Sequence, residues 1–104
     1  MTAKPKGKLA IDIYDQDDKL VIVAPIAGIK TKDLNIKAEG NSLIIEGHRD
    51  HIEKLANEED YLVKECFWGN FERKIILPNN LNTDKIEANF KSGILTIEIP
   101  KLTN

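Results

Sequence analysis

Few side chains in this chain combine the types and spacing that catalysis or metal binding requires. His48 and His51 are three residues apart, and together with Glu53 they could share a metal ion. Because no third histidine or cysteine joins them, we expect two solvated loop histidines instead. Cys66 could form a nucleophile pair with either histidine, but its place on a predicted strand favours a half-buried structural thiol. We therefore predict no catalytic residue, no metal site and no cofactor.

The remaining chemical motifs are equally weak. The acidic run Glu58-Glu59-Asp60 could bind Ca²⁺, but it lacks the spacing of an EF-hand loop and is better explained as a solvated acidic loop. The sequence has no G-x-x-x-x-G-K-[ST] motif to hold a phosphate. A sugar-binding surface would need an exposed aromatic platform, for which only Trp68, Tyr14 and Tyr61 are available. These observations disfavour an enzyme.

Length and composition restrict the class of protein. A chain of 104 residues predicts one domain with one core. Its net charge of −2 gives no basic field for nucleic acid, and no apolar run is long enough to span a membrane. Cys66 is the only cysteine, which favours a reducing compartment, and the first eight residues have no apolar core of a signal peptide. We therefore expect a cytoplasmic protein that binds neither nucleic acid nor membranes.

Hydrophobic residues recur with a period of two along most of the chain, which is the pattern of half-buried strands. Such alternation runs from Leu9 to Tyr14, and the run Leu20 to Ala24 is apolar on both parities, which suits a strand covered on both sides. Further strands are predicted at residues 34–38, 43–48, 61–67, 71–77, 86–90 and 94–99. About eight strands with frequent turn signals predict an all-β sandwich or barrel.

Two of the connections carry clear turn chemistry, and a third is unusually long. Glu39-Gly40-Asn41-Ser42 and Lys91-Ser92-Gly93 are hairpin signals, because glycine and asparagine tolerate positive φ. Residues 49–60 form a polar stretch in which the middle could hold a helical turn. A loop of this length in a compact β domain is commonly functional.

Three segments, in order and at suitable spacing, resemble the α-crystallin domain of the small heat-shock protein family. Ala88 through Leu95 matches the signature A-x-x-x-n-G-(V/I)-L near the domain end. The stretch from Glu65 to Arg73 resembles E-R-x-x-G-x-F-x-R, with Cys66 in place of the first arginine. Residues 25–29 stand where many bacterial members have a P-G-V type segment, although Ile26-Ala27 separates proline from glycine.

This resemblance implies an immunoglobulin-like sandwich and a homodimer in which a strand within the long loop is exchanged between subunits. The implied exchange pairs the strand from Tyr61 to Glu65 with the partner's first strand near residues 9–14. The alternative is that this strand stays in its own chain, as a hairpin with residues 71–77. The residues that the resemblance places at the dimer interface are Leu9, Ile11, Ile13, Tyr61, Leu62, Val63, Glu65 and Arg73.

The resemblance also implies ATP-independent holdase activity, in which the protein binds partly unfolded clients and limits their aggregation. A groove between the edge strands of the two sheets would receive tail or client segments. Its expected lining is Leu34, Ile36 and Ala38 on one side and Ile86, Ala88 and Phe90 on the other. These are also residues that any sandwich would point at its core, and the two roles are compatible.

The expected organisation is a tail at residues 1–8, the domain at residues 9–101 and a short C-terminal tail at residues 102–104. Family members usually have a longer N-terminal arm and an I-x-I motif in the tail, and neither is present here. We therefore expect dimers with reduced chaperone activity, and larger oligomers if the native ends are longer. The rival function is a co-chaperone adaptor of the p23/CS type, which docks on a folded chaperone.

Overall fold

A computed structural model describes residues 7–50 and 56–102 of the chain as a β-sandwich of two four-stranded sheets. The first sheet has the order β1-β6-β5-β4 and the second has the order β2-β3-β8-β7. The strands are β1 (Gly7–Lys8), β2 (Asp12–Asp15), β3 (Lys19–Pro25), β4 (Leu34–Glu39), β5 (Ser42–Arg49), β6 (Gly69–Ile76), β7 (Glu87–Lys91) and β8 (Ile94–Pro100). Short 3₁₀ turns at Thr31–Asp33, Glu58–Asp60 and Thr83–Lys85 complete it. The predicted all-β sandwich is confirmed.

The core lies between the two sheets, and its buried strand residues belong to β3, β5, β6 and β8. In the second sheet, Ile13, Ile22 and Ile97 lie side by side in register, and Ala24 is paired with Leu95. In the first sheet the core residues include Leu43, Ile45, Phe71 and Ile75. Seven large side chains of the described core are essentially inaccessible to water, and each contributes roughly 1.5–3 kcal/mol by burial.

Strand β3 is covered on both of its faces, as its double-parity apolar pattern predicted. Ile22 and Ala24 point into the core, whereas Val21 lies on the opposite face and is only 2% exposed. The cross-strand neighbours of Val21 are Tyr14 and Glu98. Large side chains on adjacent strands cover such a position because directly paired residues are close together.

Both predicted hairpin turns are present and differ in type. Ser92 and Gly93 both have positive φ, at 53° and 76°, between the paired residues Lys91 and Ile94. This is the φ pattern of a type I′ turn. In the turn between β4 and β5, Gly40 alone has positive φ, at 58°, which fits a type II′ turn with glycine first.

The beginning of the chain departs from the sequence prediction. Instead of one strand from Leu9 to Tyr14, Gly7 and Lys8 form β1, which pairs in parallel with β6. These two residues belong to the stretch expected to be a tail. The chain then crosses to the other sheet and continues as β2. Leu9 lies in this crossover and is buried in the core, so one side of the sandwich is closed by the chain itself.

The segment expected to be a strand at residues 61–67 is not a strand within the chain. It follows the 3₁₀ turn Glu58–Asp60, which lies at the end of the polar stretch and not in its middle, where a helical turn was considered. Across the described residues β6 pairs with β1 and β5, so the alternative hairpin between residues 61–67 and 71–77 is wrong. No helical segment within residues 7–50 and 56–102 has the length and apolarity to cross a membrane.

Candidate binding groove and pairing edge

β4 and β7 are edge strands of the two different sheets, and the groove expected from the sequence would lie between them. Each pairs on one side only within the described residues: β4 with β5, and β7 with β8. Four of the predicted lining residues, Leu34, Ile36, Ile86 and Phe90, pack against the core but remain partly exposed. Ala38 and Ala88 are exposed. The structure therefore places all six residues on the two edge strands or immediately before one of them.

The two groove walls run in opposite directions. The turn that follows β7 bonds to the end of β3, since the Ile26 amide donates to the Gly93 carbonyl at 2.6 Å. Gly28, just beyond it, faces the side chain of Arg49 at the end of β5, where β4 begins. The end of β7 therefore lies beside the beginning of β4. Consequently Ala38 and Ala88 share one end of the groove.

The opposite ends of the walls carry larger side chains. Leu34 begins β4 and Phe90 is near the end of β7, so both lie at the end away from the alanines. The two edge strands therefore carry large apolar side chains at one end and alanines at the other. Side chains that are partly exposed yet packed on the core form a preformed apolar surface, which an extended segment could cover without rearranging the fold.

The 3₁₀ turn Thr83–Lys85 positions the start of the β7 wall. The side chain of Asn82 accepts a hydrogen bond from the Asp84 amide at 3.2 Å and so caps this turn. The Asn82 amide donates to the Pro100 carbonyl at 2.7 Å, which fixes the turn to the end of β8. Ile86, which follows directly, is thus held half-buried beside the core.

A second edge capable of pairing lies at β2, which in the described chain pairs only with β3. Its residues are all exposed, including Ile13 at 45% and Tyr14 at 48%. Tyr14 was not among the residues predicted at the interface, although it lies in the same predicted strand as Ile13. An unpaired strand edge bearing large apolar side chains is a natural template for a strand of another chain.

The segment from Tyr61 to Cys66 carries the most exposed apolar side chains of the described chain. Leu62 is 99% exposed and Val63 is 70% exposed, while Tyr61 is 39% exposed. Glu65 is exposed as well. Single exposed apolar residues are common, but three in succession beyond a polar loop indicate a surface that another chain could cover.

Local contacts give this segment a defined shape. Asn57 and Asp60 form a capping box around the 3₁₀ turn. Lys64 Nζ donates to both carboxylate oxygens of Glu58, at 2.6 and 2.7 Å, and lies 5.1 Å from the centre of the Tyr61 ring. At the far end, Arg49 donates to the Phe67 carbonyl at 3.2 Å. Neither Lys64 nor Arg49 was singled out from the sequence.

Three further residues predicted at the interface lie near the crossover. Leu9 is buried in the core of its own chain, so only its backbone is available to others. Ile11 packs partly against the core. Arg73 donates through Nη1 to the Leu9 carbonyl at 2.9 Å and thus holds the crossover from inside its own chain. Arg73 is part-buried, which leaves its guanidinium with some access to solvent.

The candidate metal-binding residues form no metal site in the described part of the chain. Nδ1 of His48 lies 2.6 Å from Asn70 Oδ1, and Nε2 lies 2.8 Å from Asp50 Oδ1, so both ring nitrogens are already engaged. His51 and Glu53 lie outside the described residues. Within residues 7–50 and 56–102, no three histidine, cysteine, aspartate or glutamate side chains are placed to hold a metal ion.

Cys66 is exposed and not half-buried, so that prediction was wrong. It lies beyond the last strand contact of the first sheet, where no neighbouring strand covers it. With His48 it lines an open cavity of about 500 Å³, together with Arg49, Glu58, Lys64, Phe67, Trp68 and Gly69. The Glu58-Glu59-Asp60 run forms the 3₁₀ turn, and Glu58 is occupied by Lys64.

Known proteins share both the sequence pattern and the fold. The family model described as "Hsp20/alpha crystallin family" matches residues 12–104. Small heat shock protein C2 of Rickettsia felis is 37% identical over 90 residues, covering 86% of this chain and 58% of that protein. The 18 kDa heat shock protein of Clostridium acetobutylicum is 32% identical, covering 88% of this chain and 60% of that protein. The chain thus spans less than two thirds of these relatives.

Solved structures agree with this assignment. HspA from Xanthomonas axonopodis superimposes with a TM-score of 0.81 at 28% identity, covering 93% of this chain and 96% of that one. A small heat-shock protein from Xylella fastidiosa, described as having a distinct high order structure, gives 0.79 at 28% identity and covers 92% and 87%. With its two-sheet fold and these matches, the chain belongs to the Hsp20/alpha crystallin family of small heat shock proteins.

Proposed function

We propose that this chain is the core of an ATP-independent holdase, which binds segments of partly unfolded proteins and delays their aggregation. The observation that carries the proposal is the set of large apolar side chains along the edge strands β4 and β7, which pack on the core yet remain partly exposed. A folded scaffold presents this surface without a conformational change. Extended apolar segments of a non-native chain can lie along it and also add backbone hydrogen bonds to a strand edge.

The energies favour weak and reversible binding. Each large apolar side chain of a client contributes roughly 1.5–3 kcal/mol when it is fully buried. Association removes at least about 4 kcal/mol of that gain through lost translational and rotational freedom. One segment in one groove is therefore weakly held, and stable retention of a client requires several grooves. Such a holdase acts kinetically, because it lowers the concentration of exposed segments that are available to associate.

A homodimer supplies two grooves, and we propose that it forms by exchange of residues 61–65 onto the β2 edge of the partner. The exposed side chains of β2 and those of Tyr61, Leu62 and Val63 support this arrangement, because pairing would cover both. Ile11, Ile13, Glu65 and Arg73 belong to the same proposed interface. One longer relative of solved structure is described as having a high order structure. For the present chain we propose dimers.

We place this activity in the cytoplasm. The exposed thiol of Cys66, the one cysteine of the chain, is compatible with a reducing compartment. The proposed ligands are non-native proteins and a second copy of the chain, and the proposed mechanism needs no cofactor and no bond-breaking step. The rival adaptor function would instead require a single folded partner.

The test is suppression of aggregation of a heated model protein, measured by light scattering with and without ATP. The informative variant is Ala88→Asp, which places a carboxylate in the groove on an exposed position. The matched control is Asn89→Asp, the next residue of β7, which is also exposed and has the opposite strand parity. We expect protection by the wild type without ATP, at least about threefold weaker protection by Ala88→Asp, and no change for Asn89→Asp.

Three results would contradict the proposal. Equal protection by the two variants would show that the groove does not hold clients. No protection by the wild-type chain, combined with capture of one folded chaperone, would favour the p23/CS-type adaptor. A requirement for ATP would exclude a passive holdase. The mass in solution, measured alongside, tests the dimer, which a particle much larger than two subunits would contradict.

A further inference from the structure

The residues of β2 form an alternating set along an edge that no strand of the described chain covers. Ile13 lies on the inner parity, next to the core residue Ile22. Asp12 and Tyr14 lie on the outer parity, where Tyr14 is paired with Val21. Asp12 is exposed, and no ion pair between Asp12 and another described residue is present. The edge thus offers, in order, a carboxylate, an inner apolar side chain and an outer aromatic ring.

Residues 62–64 carry the complementary order in the reverse direction. An antiparallel pairing that places Val63 opposite Ile13 brings Leu62 opposite Tyr14 and Lys64 opposite Asp12. The first two pairs are apolar and the third joins opposite charges. Cross-strand pairs of these kinds are the ones that stabilise antiparallel sheets. A shift by one residue would instead place the Asp12 carboxylate opposite Val63 and send Val63 to the other face.

The parallel alternative is less favourable. With Leu62 opposite Ile13, a parallel strand would bring Lys64 opposite Asp15. Asp15 is already paired with Lys101 of its own chain at 2.9 Å. Parallel ladders are also slightly less stable per residue than antiparallel ones. The antiparallel register is therefore the one that matches all three side chains of the edge.

We infer that the β2 edge recognises a second copy of this chain in this antiparallel register, with Lys64 of one subunit paired to Asp12 of the other. The inference rests on the proposed homodimer and specifies its register and its charge code. The contact occurs twice in a two-fold dimer. The Asp12–Lys64 pair therefore favours self-association over pairing with relatives that have other charges at these two positions. It also makes dimerisation sensitive to salt.

Lys64 can change partners at little cost. Its present ion pair with Glu58 is solvent-exposed, with the Glu58 side chain 77% accessible, and exposed pairs of this kind are weak. Docking on the partner covers Leu62 and Val63, which are among the most exposed apolar side chains described. The apolar burial supplies the affinity, and the charge pair fixes the register.

The test uses charge reversal in the full chain, Asp12→Lys and Lys64→Asp, with dimerisation measured by analytical ultracentrifugation. Each variant alone faces like charges at both contacts, and we expect its dimer dissociation constant to rise at least about tenfold. In an equimolar mixture both contacts again join opposite charges, so we expect heterodimers with a dissociation constant close to that of the wild type. Asp12→Asn, a milder change, should remove most of the salt dependence.

The matched control is Asp15→Lys mixed with Lys64→Asp, which rescues only the parallel register. Rescue by Asp15→Lys and not by Asp12→Lys would overturn the proposed register. A mixture of Asp12→Lys with Lys64→Asp that dimerises no better than either variant would overturn the charge code, provided that the wild type is a dimer. A monomeric wild-type chain would instead refute the proposed dimer itself, so the two failures are distinguishable. Circular dichroism of each variant verifies that it is folded.

Discussion

Gly47 occupies a position in β5 that has no room for a side chain. It lies between Leu34 of β4 and Phe71 of β6 in the register of the first sheet. A Cβ atom at Gly47 would lie 2.6 Å from Phe71 Cζ, 2.8 Å from the Asp33 carbonyl oxygen and 2.9 Å from Ile29 Cδ1. Two of these neighbours are side chains, but the carbonyl belongs to the backbone of the 3₁₀ turn that leads into β4. We therefore predict that Gly47→Ala is destabilising.

The magnitude follows from two opposing effects. Overpacking of a close-packed site costs about 1–3 kcal/mol. The lower entropy of the unfolded chain with alanine returns about 0.4–1 kcal/mol. Steric cost is the larger effect because Phe71 is only 5% exposed and cannot swing into solvent. We expect a net loss of about 1–2 kcal/mol in the free energy of unfolding, which lowers the melting temperature by roughly 4–8 °C for each kcal/mol.

Urea denaturation at one fixed protein concentration measures this loss, since dimerisation also contributes to stability. The control is a double-mutant cycle with Phe71→Leu, which removes the nearest clashing atom. We expect Gly47→Ala to cost less in the Phe71→Leu background than in the wild type, because the two side chains compete for the same space. A Gly47→Ala variant as stable as the wild type, or two fully additive substitutions, would refute the steric argument.

Three further predictions concern other contacts of the sandwich. Arg73→Met removes the charged hydrogen bond to the Leu9 carbonyl and should lower the free energy of unfolding by about 1–2 kcal/mol in urea titrations. An unchanged urea midpoint would show that this hydrogen bond does not stabilise the fold. Ser92 has a φ of 53°, so Ser92→Asn should raise the melting temperature slightly and Ser92→Val should lower it, by about 1 kcal/mol for valine; the opposite order would contradict the turn. The hydrogen bond from Lys19 to the Glu98 carboxylate, and then its charge, raise the pKa of Lys19 above 10.5. From neutral pH up to 10.5 the stabilisation by this pair is fully present, and it is lost as the pH rises through the higher folded-state pKa. The difference in free energy of unfolding between wild type and Lys19→Met, measured by urea titration, should therefore shrink in strong alkali.

Much of the fold follows from the sequence because its signals are local. Period-two alternation predicted β4, β6 and β8, and the double-parity apolar run predicted the covered strand β3. Turn chemistry predicted the two hairpins, since Gly40 and Gly93 supply positive φ where it is needed. Alternation also predicted which residues of β4 and β7 face the core, since Ile36 and Phe90 pack against it.

Other features depended on contacts between distant parts of the chain. Leu9 belongs by pattern to the first strand, yet it fills the core where the chain crosses between sheets. Arg73 has a strand position in the sequence, but only the fold brings it to the Leu9 carbonyl, 64 residues earlier. Gly47 gave no signal of the close approach by Phe71.

Residues 61–67 show most clearly what the sequence determined and what the tertiary structure decided. Their apolar and aromatic content gives them strand propensity, which the sequence alone reveals. A strand, however, exists only when a neighbouring edge accepts its backbone hydrogen bonds and covers its side chains. Within the described chain β6 is already paired on both sides, so this segment stays unpaired and exposes Leu62 and Val63. Propensity is local, whereas the availability of an edge is a property of the assembled sheets.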